Sequence, residues 1–388
     1  MDINKILCGD SLEVLKDFKN NYFDSVVTDP PYGLAFMGKK WDYDVPEVEL
    51  WKEVYRVLKS GGHLLSFAGS RTYHRMAVNI EDAGFEIRDM LGWLYGSGFP
   101  KSHNIGKAVD KIQGNKREEV EEEHWGRKNR NKEYSANVFT GNRVNDETIN
   151  KRTITKGNSQ WEGWGTALKP AHEPIVMARK PFNTSVAENV LTHGTGGINI
   201  DECRVGTESI GRFPANIIHD GSEEVLEIFP ETKSGTGAIR KNAKGLFGLG
   251  GDNKPNIEYD DKGSAARFFY CAKASKAERN MGLDDYEEKQ VTDGTIRSNQ
   301  ETARTFGANS AKRKNYHPTV KPIKLMEYLV RLITPKEGIV LEPFAGSGTT
   351  LIACKQQGFN YIGIEREQEY CDIAEARLKA VQVQGELF

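Results

Sequence analysis

The chain has 388 residues, of which 38% are hydrophobic and 28% are charged, and its formal net charge is −2. This composition is typical of a soluble globular protein with one large domain or two ordinary ones. It excludes a membrane-spanning protein, because no apolar run approaches the roughly 20 residues that cross a bilayer. The five scattered cysteines, without a C-x-x-C pattern, argue against a disulfide framework and a zinc site. We therefore expect a cytoplasmic protein with no membrane partner and no metal.

The first hundred residues alternate between short apolar strands and amphipathic helices. The pattern predicts four strands, over Ile3–Cys8, Phe23–Thr28, His63–Phe67 and Phe85–Leu94. It predicts three helices, over Ser11–Phe18, Leu50–Leu58 and Arg71–Ala83. Near-continuous apolar strands separated by helices indicate an α/β fold, with a mostly parallel sheet that is covered on both faces.

Beyond residue 100 this pattern is interrupted by three polar segments, at about 101–160, 234–262 and 284–315. Basic residues outnumber acidic ones by 16 to 11 both in 101–180 and in 233–316. Polar segments of this kind are often ordered only by a partner, and the basic excess suits a polyanion. Three more apolar islands lie between them, at Glu173–Ala178, Phe213–Ile218 and Arg267–Ala272.

Regular elements return after Pro318. The pattern predicts helices over Ile323–Ile333, from Thr349 to Gln356 and from Gln368, and strands over Ile339–Leu341 and Tyr361–Ile364.

A glycine-rich turn follows the strand Ile339–Leu341. The glycines Gly346 and Gly348 allow the backbone to bend tightly and to approach a ligand beside a helix N-terminus. The next strand leads to Glu365, 23 residues after Glu342, near the spacing at which an acid binds ribose hydroxyls in α/β folds. This arrangement predicts a nucleoside cofactor.

Other interpretations of the glycine turn are weaker. A phosphate-binding P-loop requires Lys where this chain has Thr349. A dinucleotide fingerprint requires a third glycine where Leu351 stands, so a nicotinamide cofactor is disfavoured as well. A purely structural glycine turn is the remaining alternative, and the acid Glu365 weighs against it.

The segment Asp29-Pro30-Pro31-Tyr32 directly follows a predicted strand. The lone pair of a nucleobase amine is delocalised into the ring, so methylation needs acceptors that hold the two N–H bonds. The Asp29 carboxylate and the Pro30 carbonyl can accept these bonds, and consecutive prolines hold the carbonyl rigidly. Tyr32 offers a face on which a flipped base can stack. An ordinary Asp-Pro turn is the alternative.

These two motifs, in this order, resemble those of the β class of S-adenosylmethionine-dependent DNA amino-methyltransferases. In that class a D/S-P-P-Y/F motif precedes a target-recognition region, and an F-x-G-x-G motif comes last. Three further segments resemble elements of the class, namely Leu7–Ser11, His317–Pro322 and Gly363–Glu365. Two others, Gly163–Pro174 and Gly211–Asn216, look like segments of phage and prophage members.

The resemblance implies a Rossmann-like methyltransferase with a mostly parallel central sheet, circularly permuted, and an inserted target-recognition region. It assigns residues 1–100 and 316–388 to the catalytic domain, which binds S-adenosylmethionine, and residues 101–315 to DNA binding. The implied catalytic residues are Asp29, Pro30, Pro31 and Tyr32. The implied cofactor-binding residues are Asp10, His317, Thr319, Lys321, Glu342, Phe344, Gly346, Gly348, Thr349 and Glu365. Most members have Asp where this chain has Glu342.

The resemblance also implies methyl transfer to a flipped base in double-stranded DNA. Asp29 favours N6 of adenine, because the adenine enzymes of the class tend to carry D-P-P-Y, and N4 of cytosine is the alternative. RNA as substrate and a non-catalytic DNA-binding regulator are further alternatives. The basic insertion disfavours RNA, and the intact motif disfavours the regulator. The resemblance raises the expectation of a homodimer. The segment Lys39–Asp42 is predicted either to close over the target strand or simply to pack.

Overall fold

The structure is a computed structural model that describes residues 2–34, 42–98, 102–125, 149–206, 211–233, 262–272, 276–291 and 311–381. Residues 39–41 of the predicted closing segment lie outside these ranges. The same holds for residues 101, 126–148, 234–261 and 292–310 of the predicted polar segments.

Fifteen strands lie within the described ranges: β1 (Lys5–Cys8), β2 (Phe23–Thr28), β3 (Leu58–Phe67), β4 (Glu86–Leu94), β5 (Glu118–Trp125), β6 (Ile149–Lys156), β7 (His172–Arg179), β8 (Ile217–His219), β9 (Glu231–Lys233), β10 (Lys262–Ser264), β11 (Tyr270–Cys271), β12 (Lys289–Val291), β13 (Ala311–Arg313), β14 (Ile339–Glu342) and β15 (Asn360–Glu365).

Ten α-helices lie in the same ranges: α1 (Ser11–Leu15), α2 (Val48–Val57), α3 (Tyr73–Asp82), α4 (Ile105–Gln113), α5 (Val186–His193), α6 (Glu223–Leu226), α7 (Lys276–Arg279), α8 (Ile323–Ile333), α9 (Thr349–Gln357) and α10 (Gln368–Ala380). Among the residues that the structure describes, no helix is both long enough and apolar enough to cross a bilayer.

Nine of the strands form one sheet in the order β1-β15-β14-β2-β3-β7-β4-β8-β11. Neighbouring strands are parallel, except that β7 runs antiparallel to both β3 and β4. The predicted α/β fold with a mostly parallel central sheet is therefore confirmed. Strands from the two ends of the chain are neighbours in this sheet, since β14 pairs with β2.

Helices cover both faces of the sheet. Successive side chains of a strand point to opposite faces, so neighbouring residues belong to different cores. Val27 and Leu65 belong to one core, which includes residues of α8 and α9. Val26 and Leu64 belong to the other core, which includes residues of α1, α2 and α3. Burial on both faces explains why these strands appear in the sequence as near-continuous apolar runs.

The strand β3 is longer than the predicted strand His63–Phe67, because it begins at Leu58. It includes Gly61, which lies between the predicted helix Leu50–Leu58 and the predicted strand. The φ angle of Gly61 is +76°, and its N–H donates to the carbonyl oxygen of Lys180 at 3.1 Å. A Cβ atom there would lie 2.2 Å from the Asn189 side chain. The glycine therefore allows a close approach within the strand.

The compact units of the chain differ from the predicted division into 1–100 with 316–388 and 101–315. One unit comprises Met1–Ser97 and Ala171–Phe388, and the other comprises Gly98–Pro170. The difference arises because β7, β8 and β11 come from the predicted insertion and yet belong to the central sheet. The apolar islands at 173–178, 213–218 and 267–272 contribute residues to these strands.

The described part of the unit Gly98–Pro170 contains regular structure within the predicted polar segment at about 101–160. The helix α4 begins after Asn104, whose side chain accepts a backbone N–H of the first turn, and ends at Gly114 with a φ of +71°. Arg117 donates to the carboxylates of Asp110 and Glu162, and Asp110 is buried. Caps and ion pairs thus stabilise this unit, in which the apolar residues of α4 have helical spacing within an otherwise polar segment.

Candidate active site

The two turns that are predicted to carry the chemistry lie at the same edge of the sheet. The strands β2 and β14 are parallel neighbours, with Leu341 opposite Val26. Because both strands run in one direction, the turn that begins at Asp29 and the loop after Glu342 leave the sheet side by side. The structure thus brings together two motifs that are 313 residues apart in the sequence.

Glu342, the last residue of β14, connects the two turns. Its Oε1 accepts hydrogen bonds from the Thr28 hydroxyl at 2.5 Å and from the backbone N–H of Phe344 at 3.1 Å. Its Oε2 accepts one from the Thr350 hydroxyl at 2.6 Å. Thr28 directly precedes Asp29, so this buried group joins the Asp29–Tyr32 turn to the start of α9. Direct contact between Glu342 and the cofactor stays a prediction.

Glu342 also gives the protein a pH-dependent stability. Burial raises the pKa of Glu342 to about 8, although the hydrogen bonds from Thr28 and Thr350 oppose the shift. Between an unfolded value of 4.5 and about 8, the folded state binds a proton that the unfolded state has lost. The free energy of unfolding therefore falls as pH rises through this window, by at most about 1.4 kcal/mol per pH unit.

We expect the substitution Glu342→Gln to flatten this dependence. The measurement is urea unfolding of both proteins at pH 5.5, 7 and 8.5. The variant Glu49→Gln is the control, because Glu49 is an exposed acid of α2. Equal slopes for the wild type and Glu342→Gln would contradict the assignment.

Asp29 lies in a cluster of charged and hydroxyl groups. Its Oδ2 accepts a hydrogen bond from Nζ of Lys321 at 2.7 Å, and its Oδ1 accepts one from the Tyr32 hydroxyl at 2.7 Å. Both donors also contact Oε2 of Glu173, Lys321 at 3.2 Å and Tyr32 at 3.1 Å. The structure therefore pairs Lys321 with Asp29, and its predicted role in cofactor binding stays a prediction.

The charges in this cluster stabilise each other. Burial alone lowers the pKa of Lys321, but the negative charges of Asp29 and Glu173 outweigh it, so the pKa is raised. Burial, followed by the same two charges, raises the pKa of Tyr32 well above its usual range. Lys321 is thus an ammonium and Tyr32 a neutral phenol at ordinary pH, and both can donate.

The backbone of the Asp29–Tyr32 turn is held by Asp42 and Thr72. Oδ1 of the buried Asp42 accepts the N–H groups of Tyr32 at 2.7 Å and Gly33 at 3.1 Å. The Thr72 hydroxyl donates to the carbonyl oxygen of Tyr32 at 2.6 Å. Of the segment predicted to close over DNA, Asp42 is the residue that the structure describes, and it anchors the turn. Pro30 is buried and Pro31 half-buried beside it.

The glycine loop is packed tightly against His317. The φ angle of Gly346 is +51°, and a Cβ atom at this position would lie 2.8 Å from Nε2 of His317. The N–H of Gly346 donates to Oε2 of Glu365 at 2.8 Å. Nδ1 of His317 lies 3.0 Å from the carbonyl oxygen of Thr319. Burial lowers the pKa of His317 to about 4, so its ring is neutral at ordinary pH.

A buried arginine supports the same loop. The guanidinium of Arg377 contacts the carbonyl oxygen of Ser347 at 2.5 Å, the hydroxyl of Thr349 at 3.2 Å and the carbonyl oxygen of Glu278 at 3.1 Å. Burial lowers the pKa of Arg377 to about 10, which leaves it charged. Thr349 therefore faces this arginine, and its contact with the cofactor stays a prediction. The φ of +79° at Gly348 ends the turn just before α9.

The remaining predicted cofactor residues surround the loop. Asp10 follows β1, and the last residue of β1 lies opposite Glu365. The carboxylate of Asp10 caps α1. The hydroxyl of the next residue, Ser11, donates to the carbonyl oxygen of Pro343 at 2.5 Å. Phe344 is half-buried against the core that includes α1. The acids Asp10 and Glu365 are thus close to the glycine loop, as a nucleoside site requires.

Three residues of the site are not predicted as site residues from the sequence. Glu173 lies within a segment that resembles phage members, but its distance from the two motifs in the sequence hides its contact with Lys321. Arg377 follows a helical pattern in which an arginine usually faces solvent. Asp42 belongs to the segment Lys39–Asp42, whose pattern does not single out this residue. For Glu173, the sequence signal is an acid and a proline directly before an apolar run.

Comparison with known proteins agrees with this geometry. Residues 23–376 match the family model N6_N4_Mtase, described as DNA methylase. The type II methyltransferase M.HindIII of Haemophilus influenzae is 25% identical over 354 residues, which cover 90% of this chain and 74% of that protein. The type II methyltransferase M.ScaI of Streptomyces caespitosus is 30% identical over 142 residues, which cover 37% of this chain and 41% of that protein.

Two solved structures are distantly similar. The M1.HpyAVI–SAM complex is 18% identical, with 96% of this chain and 99% of that chain covered and a TM-score of 0.41. The cytosine-N4-specific PvuII DNA methyltransferase is 14% identical, with 100% and 89% covered and a TM-score of 0.46.

Proposed function

The chain belongs to the DNA methylase family, whose members methylate N6 of adenine or N4 of cytosine, and on that premise we propose that it methylates N6 of adenine in double-stranded DNA. One observation carries the proposal. Asp29 and the glycine loop lie at the carboxyl ends of neighbouring parallel strands, joined by the hydrogen bond between Thr28 and Glu342. An acceptor for an amine and a site for the methyl donor are thereby held side by side.

The cofactor is S-adenosylmethionine, and the residues around the glycine loop fit it. A side chain at Gly346 would collide with His317, so this position requires glycine. Without a side chain, the backbone of the loop is accessible to a ligand. We propose that the acids Asp10 and Glu365 accept hydrogen bonds from the adenine and the ribose, respectively. When bound, the cofactor supplies an electrophilic methyl group on a sulfonium centre. Phe344 and Tyr32 can stabilise that cation through their rings.

The catalytic turn acts on the target base. The Asp29 carboxylate accepts one N–H bond of the amine and the carbonyl of Pro30 accepts the other, which frees the nitrogen lone pair. The ring of Tyr32 stacks on the flipped base, a contact that contributes about 1–3 kcal/mol. The N–H of Tyr32 donates to Asp42 and its carbonyl oxygen accepts from Thr72, so the backbone is fixed and the ring is oriented before the base arrives. The choice of adenine rests on Asp29 at the first position of the motif.

The region 101–315 is proposed to recognise the DNA sequence, with the compact unit Gly98–Pro170 as its separate part. The basic stretches in this region favour contacts to phosphates, which make binding weaker as salt concentration rises. A homodimer and a phage origin stay predictions.

The proposal is tested by incubating the protein with labelled S-adenosylmethionine and DNA, followed by digestion to nucleosides. We expect the label in N6-methyladenine, and more of it with duplex DNA than with single-stranded DNA or RNA. Label in N4-methylcytosine would contradict the choice of base and support the alternative substrate. Cofactor binding without any methylated nucleoside would instead support a DNA-binding regulator.

A further inference from the structure

Glu173 shares both hydrogen-bond donors of the catalytic aspartate. Nζ of Lys321 donates a hydrogen bond to Oδ2 of Asp29 at 2.7 Å, and the Tyr32 hydroxyl donates one to Oδ1 at 2.7 Å. The same two donors lie 3.2 Å and 3.1 Å from Oε2 of Glu173, which is on the strand β7. Each donor therefore has two acids within reach, and the shorter of its two contacts is with Asp29.

This arrangement opposes the proposed role of Asp29. A target amine must donate to an oxygen of Asp29, and both oxygens already accept from groups of the protein. The ammonium of Lys321 is the stronger competitor, because a charged donor forms stronger hydrogen bonds than a neutral amine. Its side chain is only 8% exposed, so water cannot easily replace the carboxylate as its partner. Each Asp29 oxygen can accept a second hydrogen bond, but the amine binds the carboxylate more strongly when Lys321 shifts toward another acceptor.

We infer that Glu173 is a positioning residue that takes over the Lys321 ammonium when the target amine enters the site. The inference rests on the proposed function of Asp29. Glu173 suits the task because it is charged, it is only 20% exposed, and it already contacts Nζ. The two contacts of Nζ measure 2.7 Å and 3.2 Å, so a small movement of Nζ toward Glu173 makes that contact the shorter one. No bond is made or broken in this step, and the total charge of the cluster is unchanged.

The inference is tested with a double-mutant cycle of Glu173→Gln and Lys321→Met, using the full-length chain. The measurements are the single-turnover rate of methyl transfer, the affinity for S-adenosylmethionine, the affinity for DNA and the melting temperature. We expect Glu173→Gln to slow the transfer at least tenfold with both affinities changed less than threefold. In the Lys321→Met background, we expect the reduction in rate that Glu173→Gln causes to be at least fivefold smaller, because no ammonium remains to be moved.

The matched control is Glu86→Gln. Glu86 is on the neighbouring strand β4 and pairs with Arg179, so its substitution also removes an ion pair from the sheet. We expect it to leave the transfer rate unchanged. If Glu173→Gln fails to fold, Glu173→Asp replaces it in the same two backgrounds.

Two results overturn the inference while the wild type remains active. One is a Glu173→Gln penalty of equal size with and without Lys321, and the other is no penalty at all. A wild-type protein that methylates no DNA amine would overturn the proposed function and this inference together.

Discussion

The substitution Asp29→Asn is expected to slow methyl transfer by about a thousandfold, within the range of general acid–base groups, while cofactor affinity changes less than threefold. Asparagine keeps the shape of the side chain but lacks its charge. It therefore accepts the amine N–H weakly and presents an amide group to the ammonium of Lys321. The glycine loop does not depend on this side chain, because its contacts are with His317, Glu365 and Arg377.

The measurement combines single-turnover kinetics with calorimetric titration of S-adenosylmethionine. The control is Asp17→Asn, an exposed acid that lies outside the cluster. Loss of cofactor binding in Asp29→Asn would show that the turn belongs to the cofactor site instead.

The substitution Gly346→Ala is expected to weaken S-adenosylmethionine binding at least tenfold. A methyl group at this position would lie 2.8 Å from Nε2 of His317, and the backbone φ of +51° is unfavourable for alanine. The left-handed conformation alone costs about 1–2 kcal/mol. Relief of the contact requires His317 or the loop to move, and either movement changes the cofactor site.

Gly358 provides a matched control for this substitution. Its φ of +75° carries the same left-handed cost, but a Cβ atom there would meet no atom within 4 Å. We expect Gly358→Ala to lower the free energy of unfolding by about 1 kcal/mol and to leave cofactor affinity unchanged. Equal affinity losses in both variants would show that strain alone accounts for the Gly346→Ala effect. The measurements are calorimetric titration and urea unfolding.

Much of the central sheet and both site motifs could be predicted from the sequence because their signals are local. The strand Phe23–Thr28 was predicted with its observed bounds, since burial on both faces produces a continuous apolar run. The residues of the Asp29–Tyr32 motif are four consecutive positions, and those of the glycine loop, Gly346–Gly348, are three. Motifs this short can be recognised directly in the sequence. Parallel strand order then places the two turns at one edge.

Other features depend on contacts between distant segments, which one sequence cannot reveal. Glu173 reaches Lys321 because β7 inserts antiparallel between β3 and β4, and nothing in its own segment specifies that register. Arg377 is buried because backbone carbonyls at Ser347 and Glu278 receive it, although arginine in a helix usually faces water. The helix α4 has apolar residues at helical spacing, but they lie within an otherwise polar stretch of the chain. The ion pair of Arg117 with Glu162 joins residues that are distant in the sequence, so one sequence does not reveal it.

The pairing of β2 with β14 also constrains how the protein is made. While the ribosome is still adding the residues before Ile339, β2 lacks one of its two neighbours, and Thr28 cannot meet Glu342. A nascent chain therefore has the Asp29–Tyr32 turn long before the neighbouring glycine loop is synthesised. We expect fragments that end before residue 339 to expose this strand edge and to require chaperones.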